Sequence, residues 1–226
     1  MTFQQIDPLF VVDVADIAKP KIIGELKIPG YSTYLHPYAP AQNNIQYLIG
    51  LGMSVKDNGY GGVTNDTVKI DLYKINYSAK ETAQTKCSSL KKESKEYTSC
   101  VASVNPDNIA VELLHSYEFA GQASSPALYN PRMFVWNSAK NLILLPLVSY
   151  TVDKNYNYKT TFAGLKGLNI QPTAEIKEVI SQNFSSLSST EYWDFNTARV
   201  GYLGEVNYFL LNDFAAFIRG ERKVEV

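Results

Sequence analysis

The chain opens on two short apolar runs joined by an Asp- and Pro-marked reversal, and the same pattern returns further along. Within residues 7–37, Phe10, Val12 and Val14 alternate with Val11, Asp13 and Ala15; Asp16 and Pro20 punctuate; Ile22-Ile23 and then Leu26 to Ile28 form the second run. A period of two is that of a pleated strand, and Asp, Pro and Gly stand where a chain reverses. The first strand's character returns at 67–77, through Val68, Ile70, Leu72 and Ile75. The whole pattern returns at 167–180, GLNIQPTAEIKEVI.

Further strands are expected at 31–37, 45–55, 109–119, 132–136, 141–150, 162–170, 174–180, 199–203, 206–211 and 214–218, with another at 223–226. Between them lie a glycine-rich loop at 56–66, a loop at 121–129, a polar turn at 153–158 and a serine-rich connector at 182–191. Residues 78–103, rich in Lys, Ser and Glu, read as an insertion that leaves the core. No stretch keeps a 3.6-residue period for more than two turns. Many short strands with turn signals mean an all-β sandwich, barrel or propeller, and a strand–turn–strand unit recurring at intervals of several tens of residues selects a β-propeller of four-stranded antiparallel blades. A β-sandwich is the alternative. The whole chain, 1–226, is then propeller apart from the insertion. It supplies three to four blades, the first represented by its outer two strands, so an incomplete ring is expected, with the missing blades coming from a parent chain or a second copy. A ring closed by this chain alone would contradict that count.

Composition excludes some roles. Lys and Arg number 21 and Asp and Glu 22, a net charge of -1, and no basic stripe is visible, so no nucleic-acid partner is expected. Charged residues are 19% of the chain, below the usual roughly 25%, and Tyr, Ser, Asn and Thr fill the deficit. No apolar run approaches the roughly 20 residues of a membrane-crossing helix; the longest, 142–148, is interrupted by Pro146. The strand pattern follows Met1 almost at once, so no signal peptide is read and the chain is expected to begin inside a fold. Cys87 and Cys100 enclose the polar run 91–95. A bridge around so short a loop contributes about 3 kcal/mol in the chain-entropy model, and local pairing of two cysteines favours a disulfide in an oxidising compartment over two free thiols. Asn65, Asn76 and Asn183 head Asn-x-Ser/Thr triplets, glycosylation candidates in an exported glycoprotein.

The run Ile23 to Pro37, IGELKIPGYSTYLHP, resembles the secreted bacterial and archaeal proteins with a C-terminal β-propeller domain, as does Leu48-Ile49-Gly50-Leu51-Gly52 followed by Val68-Lys69-Ile70-Asp71-Leu72-Tyr73. Ser125 to Tyr129 with Phe134, Lys140 to Pro146, and Arg199 to Leu211 are similar to later blades of the same family. The resemblance covers most of the chain outside the insertion and the serine-rich connector. It implies a propeller outside the cytoplasm and supplies no catalytic residues.

Few residues point to chemistry. His36 and His115 are the only histidines, with no second ligand at metal-binding spacing, and no Gly-x-Ser-x-Gly nucleophile turn is present. Asp57, Asn58, Asn65 and Asp66 are hard oxygen donors in a glycine-rich segment, which makes them a calcium candidate, though their spacing is not that of an EF-hand and an ordinary connecting loop has the same composition. Tyr31, Tyr34, Tyr38, Tyr47 and Tyr60 could stack on sugars or anchor a protein, while strand packing alone also asks for alternating aromatics. The expected function is a non-enzymatic binding scaffold outside the cell or on its surface, with a protein or carbohydrate partner. The alternative is a glycan-active hydrolase or lyase whose carboxylates meet at the propeller's central mouth.

Overall fold

The computed structural model describes residues 8–57, 62–154, 157–186, 197–211, 214–219 and 222–225. The chain divides into two units, Met1–Asn65 with Lys69–Ser116, and Asp66–Val68 with Tyr117–Val226.

In the first unit, β1 (Leu9–Asp13) and β2 (Lys21–Leu26) form a two-stranded antiparallel ribbon. Asp13 and Asp16 fold the turn between them by accepting the amide protons of Ala15 and Ala18 on their own side chains, at 2.9 and 3.0 Å. The ribbon is two-faced. Leu9, Val11, Ile23 and Leu26 pack inward, whereas Phe10, Val12 and Ile22 are exposed. Gly30, at φ 84°, then turns the chain where a Cβ would run into the carbonyl oxygen of Met53. Beyond it β3 (Tyr31–Pro37), β4 (Ile45–Asp57), β5 (Val63–Lys80) and β6 (Ile109–Glu118) make a four-stranded sheet in that order. The inner face of the ribbon closes a core with Tyr73, Ile75, Ile109 and Val111 of this sheet.

Between β5 and β6, the insertion forms two short helices, α1 (Ala83–Lys86) and α2 (Lys95–Ala102). Thr82 and Thr85 exchange hydrogen bonds as a capping box on α1, and Ser94 caps α2 by accepting from the amide of Tyr97. Lys86, Cys87 and Cys100 are buried, so the insertion has a small interior of its own.

In the second unit, β7 (Gln122–Ser124) and β8 (Val135–Asn137) share one edge of β9 (Leu142–Val152), which continues to β10 (Tyr158–Gln171) and β11 (Ala174–Asn183). The residues expected as a loop at 121–129 therefore hold a strand, and two single-turn 3-10 helices, Pro126–Leu128 and Pro131–Met133, fill the gap before β8. The gap explains Pro146. Ser125 Oγ donates to the Pro146 carbonyl at 2.6 Å, so that residue's backbone groups face the interruption between β7 and β8, where no ladder bond needs the missing N–H. Leu142 to Leu147 are all buried, as a continuous apolar run covered on both faces requires.

Finally β12 (Arg199–Leu203), β13 (Val206–Leu211), β14 (Phe214–Arg219) and β15 (Arg222–Glu225) form a four-stranded meander. Val200, Phe209, Leu211, Ala216 and Ile218 pack from it against Leu142, Leu144, Ala163 and Leu165, with Phe184 stacked on Phe209 at 5.2 Å.

Candidate functional site

Two buried polar clusters stand out, both in the first unit. The first grows from β5, which alternates two kinds of residue. Val68, Ile70 and Leu72 occupy one face, and Lys69, Asp71 and Tyr73 the other, all of them buried. Lys69 and Asp71 are two apart, so their side chains emerge side by side, with Nζ 2.8 Å from Oδ2. The Lys69 ammonium also donates to the Pro29 carbonyl at 2.9 Å. Asp71 accepts twice more, from Tyr73 OH at 2.9 Å on Oδ2 and from Ser116 Oγ at 2.6 Å on Oδ1. Because the Tyr73 proton is committed to Asp71, its oxygen receives the proton of Ser32 Oγ, 3.1 Å away. The ring lies over Gly50, where a Cβ would come within 2.7 Å of it. Burial first, then the negative charge of Asp71, raises the Tyr73 phenol far above the ordinary tyrosine range.

The oxygens of this carboxylate are thus taken up by three donors of its own fold. The cluster joins β3, β5, β6 and the Pro29 turn, and chemically it is a clasp.

The second cluster ties down the insertion. Lys86 Nζ lies 3.2 Å from Glu81 Oε2, donates to the Ser103 carbonyl at 2.7 Å and stands 3.9 Å from Glu25 Oε2 on β2. The same Glu81 oxygen accepts the amide proton of Asn105 at 2.6 Å. One lysine thus gathers both ends of the insertion and the ribbon. Glu81 Oε1 is buried with no hydrogen-bond partner among the described residues. Beside it, the sulfur atoms of Cys87 and Cys100 lie 2.07 Å apart, at bonding distance, and connect the end of α1 to α2.

The calcium candidate does not assemble as the loop pattern suggested. Asn58 and the side chain of Asp57 lie outside the described residues. Asn65 and Asp66 belong to β5 rather than to a loop, and as consecutive strand residues they point to opposite faces. Asn65 Nδ2 donates to Tyr31 OH at 3.2 Å. Among the described residues no three His, Cys, Asp or Glu side chains gather as a metal site would need.

Of the triplet asparagines, Asn183 is the most engaged. Its Oδ1 accepts from the amides of Ala163 and Ser185, and its Nδ2 donates to the Thr161 carbonyl at 3.1 Å, so the amide brackets β10 to β11. Asn76 folds onto the amide of Ser78, and the Thr67 hydroxyl of the Asn65 triplet is buried, donating to the Phe119 carbonyl. His36 Nδ1 lies 2.9 Å from Tyr34 OH, and burial lowers its pKa. Tyr38 and Tyr47 meet edge to face at 6.2 Å; Tyr60 lies outside the described residues. Tyr31, Tyr34, Tyr38 and Tyr47 are half-buried, contributing to packing across β3 and β4 as well as to the surface.

Sequence reasoning passed over Lys69 and Lys86. The signal for Lys69 was present, a Lys and an Asp on one face of a strand that carries Val68, Ile70 and Leu72 on the other. Lys86 carries none, being one lysine among several in a polar segment.

Residues 1–102 and 104–217 match the family model described as beta propeller domain. The chain belongs to the beta-propeller domain family. Among curated proteins, this propeller chain is 41% identical over 83 residues to an uncharacterized protein of Methanocaldococcus jannaschii, a match covering 34% of the chain and 12% of the relative. It is 61% identical over 36 residues to an uncharacterized protein of Archaeoglobus fulgidus, covering 16% of the chain and 6% of that protein. Both relatives are thus matched along a small part of their length. No solved structure matches the propeller chain. Among the described residues, no helix is long and apolar enough to cross a membrane.

Proposed function

We propose that the chain is a binding scaffold outside the cell or on its surface, its sheets being three blades and the outer pair of strands of another, and that it has no catalytic role. The observation that carries this reading is how the buried charges are used. Asp71 takes three donors from its own fold, and Lys86 spends its ammonium on Glu81 and the Ser103 carbonyl. Groups held in this way brace strands, leaving recognition of a protein or carbohydrate partner to exposed side chains. The bonded Cys87–Cys100 pair supports an oxidising setting.

Two measurements test the proposal. Protease treatment of intact source cells should remove the protein, and full protection by an intact membrane would overturn the placement. Purified chain offered a panel of soluble glycans should bind without altering them; sustained cleavage, by hydrolysis or by elimination to an unsaturated product, would overturn the non-enzymatic role.

A further inference from the structure

Within the second unit, β9 and β10 outrun their neighbours. The last rung between β7 and β9 is Gln122↔Tyr150 and the last between β10 and β11 is Gly164↔Asn183, whereas β9 and β10 stay paired as far as Val152↔Tyr158. The end of this hairpin is thus a two-stranded arm that extends past the strands on either side. Alternation puts Tyr150, Val152, Tyr158 and Thr160 on one face of it, and the register sets Tyr150 between Gln122 and Thr160.

The rings of Tyr150 and Tyr158 meet at 6.3 Å with their planes at 85°. An edge-to-face contact of this kind fixes the pair without covering it, for Tyr150 is half-buried and Tyr158 is 72% exposed. At that exposure Tyr158 contributes little to packing, unlike the half-buried tyrosines of β3 and β4. Gln122 and Thr160 are exposed beside the pair. An amide and a hydroxyl each donate and accept hydrogen bonds, and none of the five residues carries a charge.

We infer that this face binds a neutral oligosaccharide, stacking a sugar ring on Tyr158 and hydrogen-bonding sugar hydroxyls to Gln122 and Thr160. The inference rests on the reading of the chain as a binding scaffold, and it names where a carbohydrate partner sits. A pyranose carries C–H groups on its faces and hydroxyls around its rim, so it asks for an aromatic plane with neutral hydrogen-bonding groups beside it. Gln122 and Thr160 stand two strand spacings apart, about 10 Å, so the row suits a short chain of sugars better than a single ring. An acidic sugar would call for Lys or Arg on this face, and the face has neither. Size separates a sugar from a protein partner. The two rings offer on the order of 200 Å², well short of the roughly 800 Å² that each partner gives to a stable protein interface.

Isothermal titration of the purified chain with short neutral gluco-, galacto- and manno-oligosaccharides should show binding of at least one, and uronic acid oligomers of the same length should bind more weakly. Tyr158→Ala should lower the affinity for the bound sugar by about tenfold or more, the loss expected of an aromatic anchor, with far-UV circular dichroism unchanged. Tyr158→Trp keeps a ring and should keep the affinity. Thr160→Val retains the branched shape without the hydroxyl and should weaken binding by about fivefold; it replaces Tyr158→Ala as the test if that variant loses its β signal. Tyr129→Ala, at another exposed tyrosine outside the arm, should bind as the wild type does. No binding of any neutral oligosaccharide, wild-type affinity in Tyr158→Ala or in Thr160→Val, loss of affinity in Tyr158→Trp, tighter binding of the uronic acid oligomers, or an equal loss in Tyr129→Ala would each overturn the inference. None of these outcomes touches the scaffold role itself, which cell protection and substrate turnover judge separately.

Discussion

At the residue scale, Asp71 is the hub on which the first unit's polar interior depends. Replacing it by Ala leaves the Lys69 ammonium buried beside only the Pro29 carbonyl and removes the acceptor of Tyr73 and Ser116. Stranding a buried charge costs about 3–5 kcal/mol, whereas losing one hydrogen bond costs about 1 kcal/mol. Denaturant unfolding should therefore rank Asp71→Ala far below Ser116→Ala; equal losses would mean that Asp71 is not the hub. The tyrosines add an alkaline limit. Tyr117 is pushed up to about 12, first by burial and then by the charge of Glu178, whose Oε2 accepts its proton at 3.1 Å, and Tyr73 is displaced upward further still. For an acid whose folded pKa is raised, the stabilisation is complete below the unfolded value near 10 and falls away as pH rises towards the folded value. Tyrosinate absorbance of the native protein should accordingly show a late-ionising class that joins the remainder when the protein is unfolded.

At the scale of elements, the strands were largely legible, and the departures have physical causes. β3, β12 and β13 fall where alternation and turn residues put them, since each has one packed face and a plain reversal at its ends. β7 was not legible because Gln122–Ser124 is three residues long and is recognised by its pairing to β9, a contact that local sequence does not carry. Beyond the Lys69–Asp71 pair, the polar clusters were illegible for a related reason. Asp71 and Ser116 are 45 residues apart, and only the register of β5 and β6 brings them together. The insertion makes an element-scale prediction. Reduction of Cys87–Cys100, or Cys87→Ser, should cost about 3 kcal/mol, measured as a lower melting temperature in the presence of reductant. Lys86→Ala should cost about 3–5 kcal/mol because it abandons buried Glu81, and the double variant Lys86→Ala/Glu81→Gln should recover part of that loss in a thermodynamic cycle.

At the scale of the whole molecule, stability comes from apolar sheet faces, bridged at a few points by buried charge. Asn65 and Asp66 point to opposite faces of β5, and Asn65 is engaged with Tyr31. Added calcium should therefore leave the melting temperature unchanged; a rise would mean that the hairpin end gathers an ion after all. The Lys86 staple has another consequence. It and the sulfur bridge clamp the insertion at its base, so the exposed tip from Lys91 to Glu93 takes no part in holding β5 to β6. Such a tip is free to change in length and sequence while the sheets stay as they are, which makes it the natural place for this lineage to diversify and for a foreign peptide to be grafted.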